Sequence, residues 1–306
     1  MGVSIRHVLE QGPMLRTLGE TALGALARRP AAREKPAVPS EWISAEARAP
    51  SIELVRAFVK NAGGDPASYR DQLPPHLFPQ WALPVASRAL AGLPYPLTRV
   101  LNAGCRIESH APVPVGERLH VRARLEAIDD DGTRAILTTR IVTGTASVPD
   151  ALTTDVHAFV PLARKSDSPR PDRRTKLAVP VDARELTHVR LGPNAGLDFA
   201  KLTGDFNPIH WVPAYAHAAG FRSVILHGFA TFAVTVEAIV RRLLSGRASG
   251  LHTVEARFVK PLTLPARVGV YVGEVGDREG ALFVGMAPGA DAYLAGKFAT
   301  DGRQSR

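Results

Sequence analysis

Leu202-Thr203-Gly204-Asp205-Phe206-Asn207-Pro208-Ile209-His210 sets a carboxylate and an imidazole five positions apart, with an Asn-Pro pair between them. The residue before a proline is pushed out of the α region, so no single helix runs through this stretch. Asp205 is read as closing one helical turn, and His210 as part of a fresh turn opened by Pro208. Two backbone pieces that start in different directions can aim both side chains into one cleft. An acid–base pair held that way suits adding or removing water.

The matching extends on both sides. Thr203, Gly204, Asp205, Asn207, Pro208, Ile209, His210, Pro213, Tyr215 and Ala216, followed by Gly220-Phe221 and Ile225-Leu226-His227-Gly228, occur at fixed spacing. In this pattern the chain resembles the MaoC-like (R)-specific enoyl-thioester hydratases and dehydratases. The resemblance implies an α+β fold of double hot dog type. Two antiparallel sheets join into one continuous sheet, around a long helix in the C-terminal repeat and a shorter one in the N-terminal repeat. It also implies hydration of trans-2-enoyl thioesters to (3R)-3-hydroxyacyl thioesters and the reverse, in fatty-acid metabolism. Asp205 and His210 become the catalytic dyad by that resemblance. The expected partner is an acyl-CoA or acyl carrier protein thioester, and no cofactor is expected.

The reaction needs a base, an acid and a donor for the charge that grows on the thioester oxygen. Gly228 is the candidate donor. It opens the expected central helix, where backbone N–H groups are unpaired and the dipole favours negative charge. Asn207, Pro208 and His227 are read as supporting the loop or the substrate. His210, His217, His227 and Asp205 are metal-ligand types, but they lack the paired spacing of a helical metal site, and no metal is expected. Cys105 is read as a buried, inert thiol. No G-x-S-x-G or Gly-rich phosphate loop is present, so serine hydrolases and nucleotide binders lack support.

Outside the motif, the halves of the chain echo one another. Pro112 corresponds to Pro261, Arg118 to Arg267 and Val121 to Val270 at one constant offset of 149 residues. Both halves read as strand, proline bend, strand, then a turn (Asp129-Asp130-Asp131-Gly132, or residues 276–280) and another strand over 134–142 or 282–286. Phe229, Phe232, Ala233, Val236, Ile239, Val240 and Leu243 recur at helical spacing, with Arg241 and Arg242 near the end and Gly246 as the stop. The first half offers only residues 83–93, cut short by Pro79, Pro84 and Pro94. By the family resemblance, a reduced first helix widens the acyl tunnel and admits long or bulky chains. Residues 57–66 can be laid against the motif, with Gly64 or Asp65 at the aspartate position and Tyr69 or Arg70 at the histidine. One active site per chain is therefore expected.

These readings divide the chain into an N-terminal arm (1–38), a degenerate repeat (39–163), a linker (164–178) and a catalytic repeat (179–306). The arm is read as peripheral, with a weak helix over 8–27. Its polar residues, Glu20 among them, argue against a secretory leader. One cysteine excludes an internal disulfide and fits the cytoplasm. No apolar run is long enough to span a membrane. The net charge of +9 comes from scattered arginines without interleaved aromatics, which speaks against nucleic acid and leaves a rim suited to an anionic carrier. A homodimer stays open as a partner state. Two other functions remain: a hot-dog acyl-thioesterase, and a non-catalytic subunit that binds acyl thioesters.

Overall fold

The computed structural model describes residues 2–17, 19, 36–97, 100–162, 177–274 and 276–301. Most of the expected linker and the second half of the expected arm helix lie outside them. Among the described residues, ten strands form one sheet. They are β1 (Ile43–Ala47), β2 (Leu101–Ser109), β3 (Leu119–Asp130), β4 (Arg134–Gly144), β5 (Leu152–Pro161), β6 (Arg184–Leu191), β7 (Leu251–Phe258), β8 (Ala266–Gly273), β9 (Glu279–Gly285) and β10 (Ala292–Thr300). Their order is β1-β3-β4-β5-β2-β7-β10-β9-β8-β6, the second five mirroring the first. Alternating burial along β3 and β5 shows one face on a core and one toward solvent. This is the double hot dog architecture.

The seam between the halves is the antiparallel pair β2–β7, where Arg106 stands opposite Glu255. These two residues are counterparts at the 149-residue offset, so the pseudo-two-fold axis passes between them. Arg106 Nη1 lies 3.3 Å from Glu255 Oε2. The repeats are not independent, because one core cluster takes in Phe58 and Phe78 from the first and Phe199, Phe229 and Phe232 from the second.

Helix α1 (Ile52–Asn61) and helix α2 (Pro79–Ala89) belong to the first half. The second half has α3 (Ala195–Thr203), α4 (Pro213–Ala218) and α5 (Gly228–Arg242). The central helix α5 is buried from Phe229 to Val240 on nearly every side, which is more than a stripe. Its hydroxyls stay satisfied inside the helix, as Thr235 Oγ1 donates to Thr231 O at 2.9 Å. Gly246, at φ +83°, follows it in the left-handed conformation.

One expectation about the first half is corrected. The short helix runs over 79–89 instead of 83–93, with Pro79 in its first turn and Pro84 inside it. Pro79 costs little there, because the first N–H groups have no intrahelical acceptor. Pro84 forfeits a bond to Gln80 O, but Trp81, Ala82, Val85 and Ala86 are buried against the sheet, and tertiary packing outweighs local propensity. The space past the end of α2 is also filled. Leu90, Leu93, Tyr95 and Leu97 fold over Leu125, Leu137 and Val160, and Tyr95 Oη donates to Asp130 Oδ2 at 3.0 Å.

The arm is corrected in part as well. Residues 5–11 form a 3₁₀ helix, and His7, Gln11 and Met14 are buried. The start of the chain is built into the fold.

Candidate active site

Helix α3 ends where the chain must turn sharply. Gly204 takes φ +82° and its N–H donates to Ala200 O at 2.8 Å, so Asp205 leaves the helix axis at once. The next turn is stitched by short side chains. Asp205 Oδ1 accepts from Asn207 N at 3.3 Å, and Asn207 Oδ1 accepts from Ile209 N at 3.2 Å. Asn207 thus caps the 3₁₀ turn Pro208–His210, with Pro208 at its first position. Gly196 in α3 lets this turn approach, since a Cβ there would collide with the His210 carbonyl.

His210 Nδ1 lies 2.8 Å from Ile225 O. A carbonyl only accepts, so Nδ1 carries the proton and Nε2 is left as the base in the neutral ring. His227 Nε2 likewise donates to the backbone oxygen of Asp205 at 2.9 Å. The rings of His210 and His227 stack with centroids 3.6 Å apart and planes 27° apart. His227 therefore holds the Asp205 backbone and the His210 ring together from below. Ligand-type atoms of Asp205, His210 and His227 all lie within 4.8 Å of one another. One water can bridge Asp205 and His210 across such a gap.

That trio has the right donor types for a metal, but the ring geometry does not suit one. Imidazole lone pairs lie in the ring plane, and two nearly parallel planes cannot converge on one ion. Burial holds the pKa of His210 below the usual imidazole value, although the Asp205 charge opposes the shift. Burial pushes His227 further down, to about 4, again against the charge of Asp205. Both rings are thus neutral near pH 7. An unfolded chain binds a proton at position 227 below about pH 6.5 that the native state takes up only near pH 4. Stability from this group is complete above pH 6.5 and is lost as pH falls through that window, with a slope of roughly 1.4 kcal/mol per pH unit. Urea unfolding across pH 4–7 checks it, and His227→Phe should flatten the slope.

Gly228 begins α5 with His227 as its N-cap residue, so its N–H has no acceptor within the helix. A Cβ at Gly228 would run into the Phe258 ring, which packs edge-on against Phe229 at 5.6 Å. Cys105 is fully buried, and burial raises its thiol pKa far above the ordinary value. His217 turns away from the trio and contacts Arg222 O at 3.0 Å.

The counterpart region of the first half is rebuilt. At the 149-residue offset Pro79, which has no N–H, stands where Gly228 stands. A Cβ at Gly64 would fall on the Glu237 carboxylate, which α5 of the other repeat brings there. Glu237 Oε1 lies 3.1 Å from His76 Nε2, poorly aligned for a hydrogen bond, and both side chains are buried together with Tyr69. A small cleft lies here, lined by Tyr69, His76, Ser109 and His252 among others, and not by Asp205, His210 or Gly228. Sequence reasoning missed this cluster. Its one signal was a lone glutamate inside an otherwise apolar helical run.

No described helix is long and apolar enough to cross a membrane. The chain is 28% identical to 3-hydroxyacyl-thioester dehydratase X of Mycobacterium tuberculosis over 183 residues, 59% of this chain and 62% of that protein. It is 28% identical to enoyl-CoA hydratase ChsH3 of the same organism over 263 residues, 78% of this chain and 83% of that one. The crystal structure of HtdX from Mycobacterium tuberculosis superposes with a TM-score of 0.67 at 23% identity, covering 84% of this chain and 99% of that one, which speaks for the fold alone. Residues 169–286, the stretch carrying Asp205, His210 and Gly228, match the family model described as MaoC like domain.

Proposed function

We propose that the chain catalyses the reversible hydration of trans-2-enoyl thioesters of coenzyme A or acyl carrier protein to (3R)-3-hydroxyacyl thioesters. The observation that carries this reading is the approach of the Asp205 carboxylate and the His210 imidazole to within 4.8 Å, with the proton of His210 fixed on Nδ1. In dehydration, Nε2 of His210 receives the proton from C2, and the pair passes a proton to the C3 hydroxyl, which leaves as water. Hydration runs the same path backwards. The thioester oxygen takes its negative charge at the start of α5, where the Gly228 N–H and the helix dipole are fixed in advance.

The names of the relatives support the same chemistry. Residues 179–306 are assigned the reaction, and residues 39–163 serve as their degenerate partner, because Gly64, Tyr69 and Pro79 supply neither the dyad nor the N–H. Cys105, buried and the single cysteine of the sequence, is compatible with a reducing compartment, and the cytoplasm is the assigned location.

Crotonyl-CoA is the first probe, followed by longer enoyl chains. Loss of enoyl absorbance without release of free thiol is the expected result. Thiol release instead would assign a thioesterase, and binding without either change would assign a non-catalytic acyl-thioester subunit.

A further inference from the structure

Residues 2–17 cross the helix that delivers Asp205. Gln11 is wholly buried, and its amide nitrogen faces His7 O at 3.2 Å, Lys201 O at 3.3 Å and Leu202 O at 3.1 Å. Lys201 and Leu202 belong to the last turn of α3, whose carbonyls have no donor within the helix. A side chain from some 190 positions away in sequence therefore closes the helix end. Gln11 and Met14 also pack directly on Gly204: a Cβ there would lie 2.7 Å from Met14 Cβ and 3.2 Å from Gln11 Cβ.

The segment is tied down elsewhere too. Val3 N donates to Asp198 Oδ1 at 3.0 Å, and Lys201 Nζ donates to Val3 O at 3.0 Å. Glu10 accepts from Ser51 N at 2.9 Å and from Ser51 Oγ at 2.7 Å, and Ser51 in turn caps α1 of the first repeat. Gln11 Oε1 is buried without a partner among the described residues. An unmet buried acceptor is costly. A methionine would fill the same volume without that cost, so the donors are what the amide contributes.

We infer that residues 2–17 form a strap that sets the position of Asp205, with Gln11 as a positioning residue. The strap lies outside the stretch that matches the MaoC like domain. The inference rests on the reading of Asp205 as a reacting carboxylate.

The test uses full-length Gln11→Met and Lys201→Met, each compared with the parent at a temperature where both are folded. Two quantities are measured: steady-state kinetics on crotonyl-CoA, and amide hydrogen exchange over residues 203–210. For Gln11→Met, kcat should fall about tenfold or more while KM moves by less than about twofold, because small displacements of a reacting group are expensive. Exchange over 203–210 should rise while that of the strands stays constant, and Lys201→Met should show the same pattern more weakly. Unchanged exchange over 203–210 in both variants overturns the strap. Raised exchange with parental kcat overturns the positioning role. A parent that hydrates no enoyl thioester removes the hydratase reading, and exchange alone then decides the strap. If Gln11→Met does not fold, Lys201→Met carries the same comparison.

Discussion

Asp205→Asn is expected to lower kcat for enoyl-thioester hydration by about 10²–10⁴-fold, with the circular dichroism spectrum unchanged. The amide keeps the shape of the side chain, and its oxygen can still accept from Asn207 N, so the loop has no cause to rearrange. What disappears is the negative charge and the ability to carry a proton. His210→Gln is expected to fall in the same range, since the side chain then carries no basic nitrogen. The double variant should be little worse than either single one, because groups that act as a unit are not additive. Activity within about threefold of the parent in either single variant would remove the dyad.

The second large effect concerns the core. Glu237→Ala should cost about 3–5 kcal/mol of unfolding free energy, measured by urea denaturation. Glu237 sits in the middle of α5 with 1% of its side chain exposed, and His76, in the turn Pro75–Leu77 of the first half, is buried to the same degree. Tyr69 is fully buried in the same group, and burial, then the charge of Glu237, hold its pKa well above the ordinary value. Truncating Glu237 strands an imidazole and a phenol without compensation and leaves a cavity. A matched double replacement, Glu237→Met with His76→Leu, should recover most of the loss, because apolar groups of similar volume commonly replace a buried polar pair at no net cost. A loss below about 1 kcal/mol for Glu237→Ala would show that the cluster contributes nothing.

Local features were legible from the residues alone. The Asn-Pro break predicted that Asp205 and His210 sit on separate turns, and the structure has α3 ending at Thr203 and a new turn at Pro208. The helical spacing from Phe229 to Leu243 identified α5 to within a residue or so. The Pro112/Pro261 offset anticipated the mirrored strand order. In each case backbone chemistry or side-chain period acts over a few residues. Contacts between distant segments were not legible. Nothing in the sequence around Gln11 says that it caps a helix some 190 positions away. The pair of Glu237 and Gly64 makes sense only once α5 is laid across the first half. Pro84 misled for the opposite reason: a local rule was overruled by packing against the sheet.

The axis between Arg106 and Glu255 lies within one polypeptide, so a substitution is made once and not twice. In a symmetric pair of identical subunits, a proline in place of the helix-opening glycine would remove that N–H from both clefts at once. Fused in tandem, one half can carry that proline and accept a core glutamate from its neighbour, while the other keeps the glycine. The linkage lifts an obligatory two-fold constraint, and on the proposed reading it lets one half specialise in scaffolding while the other reacts.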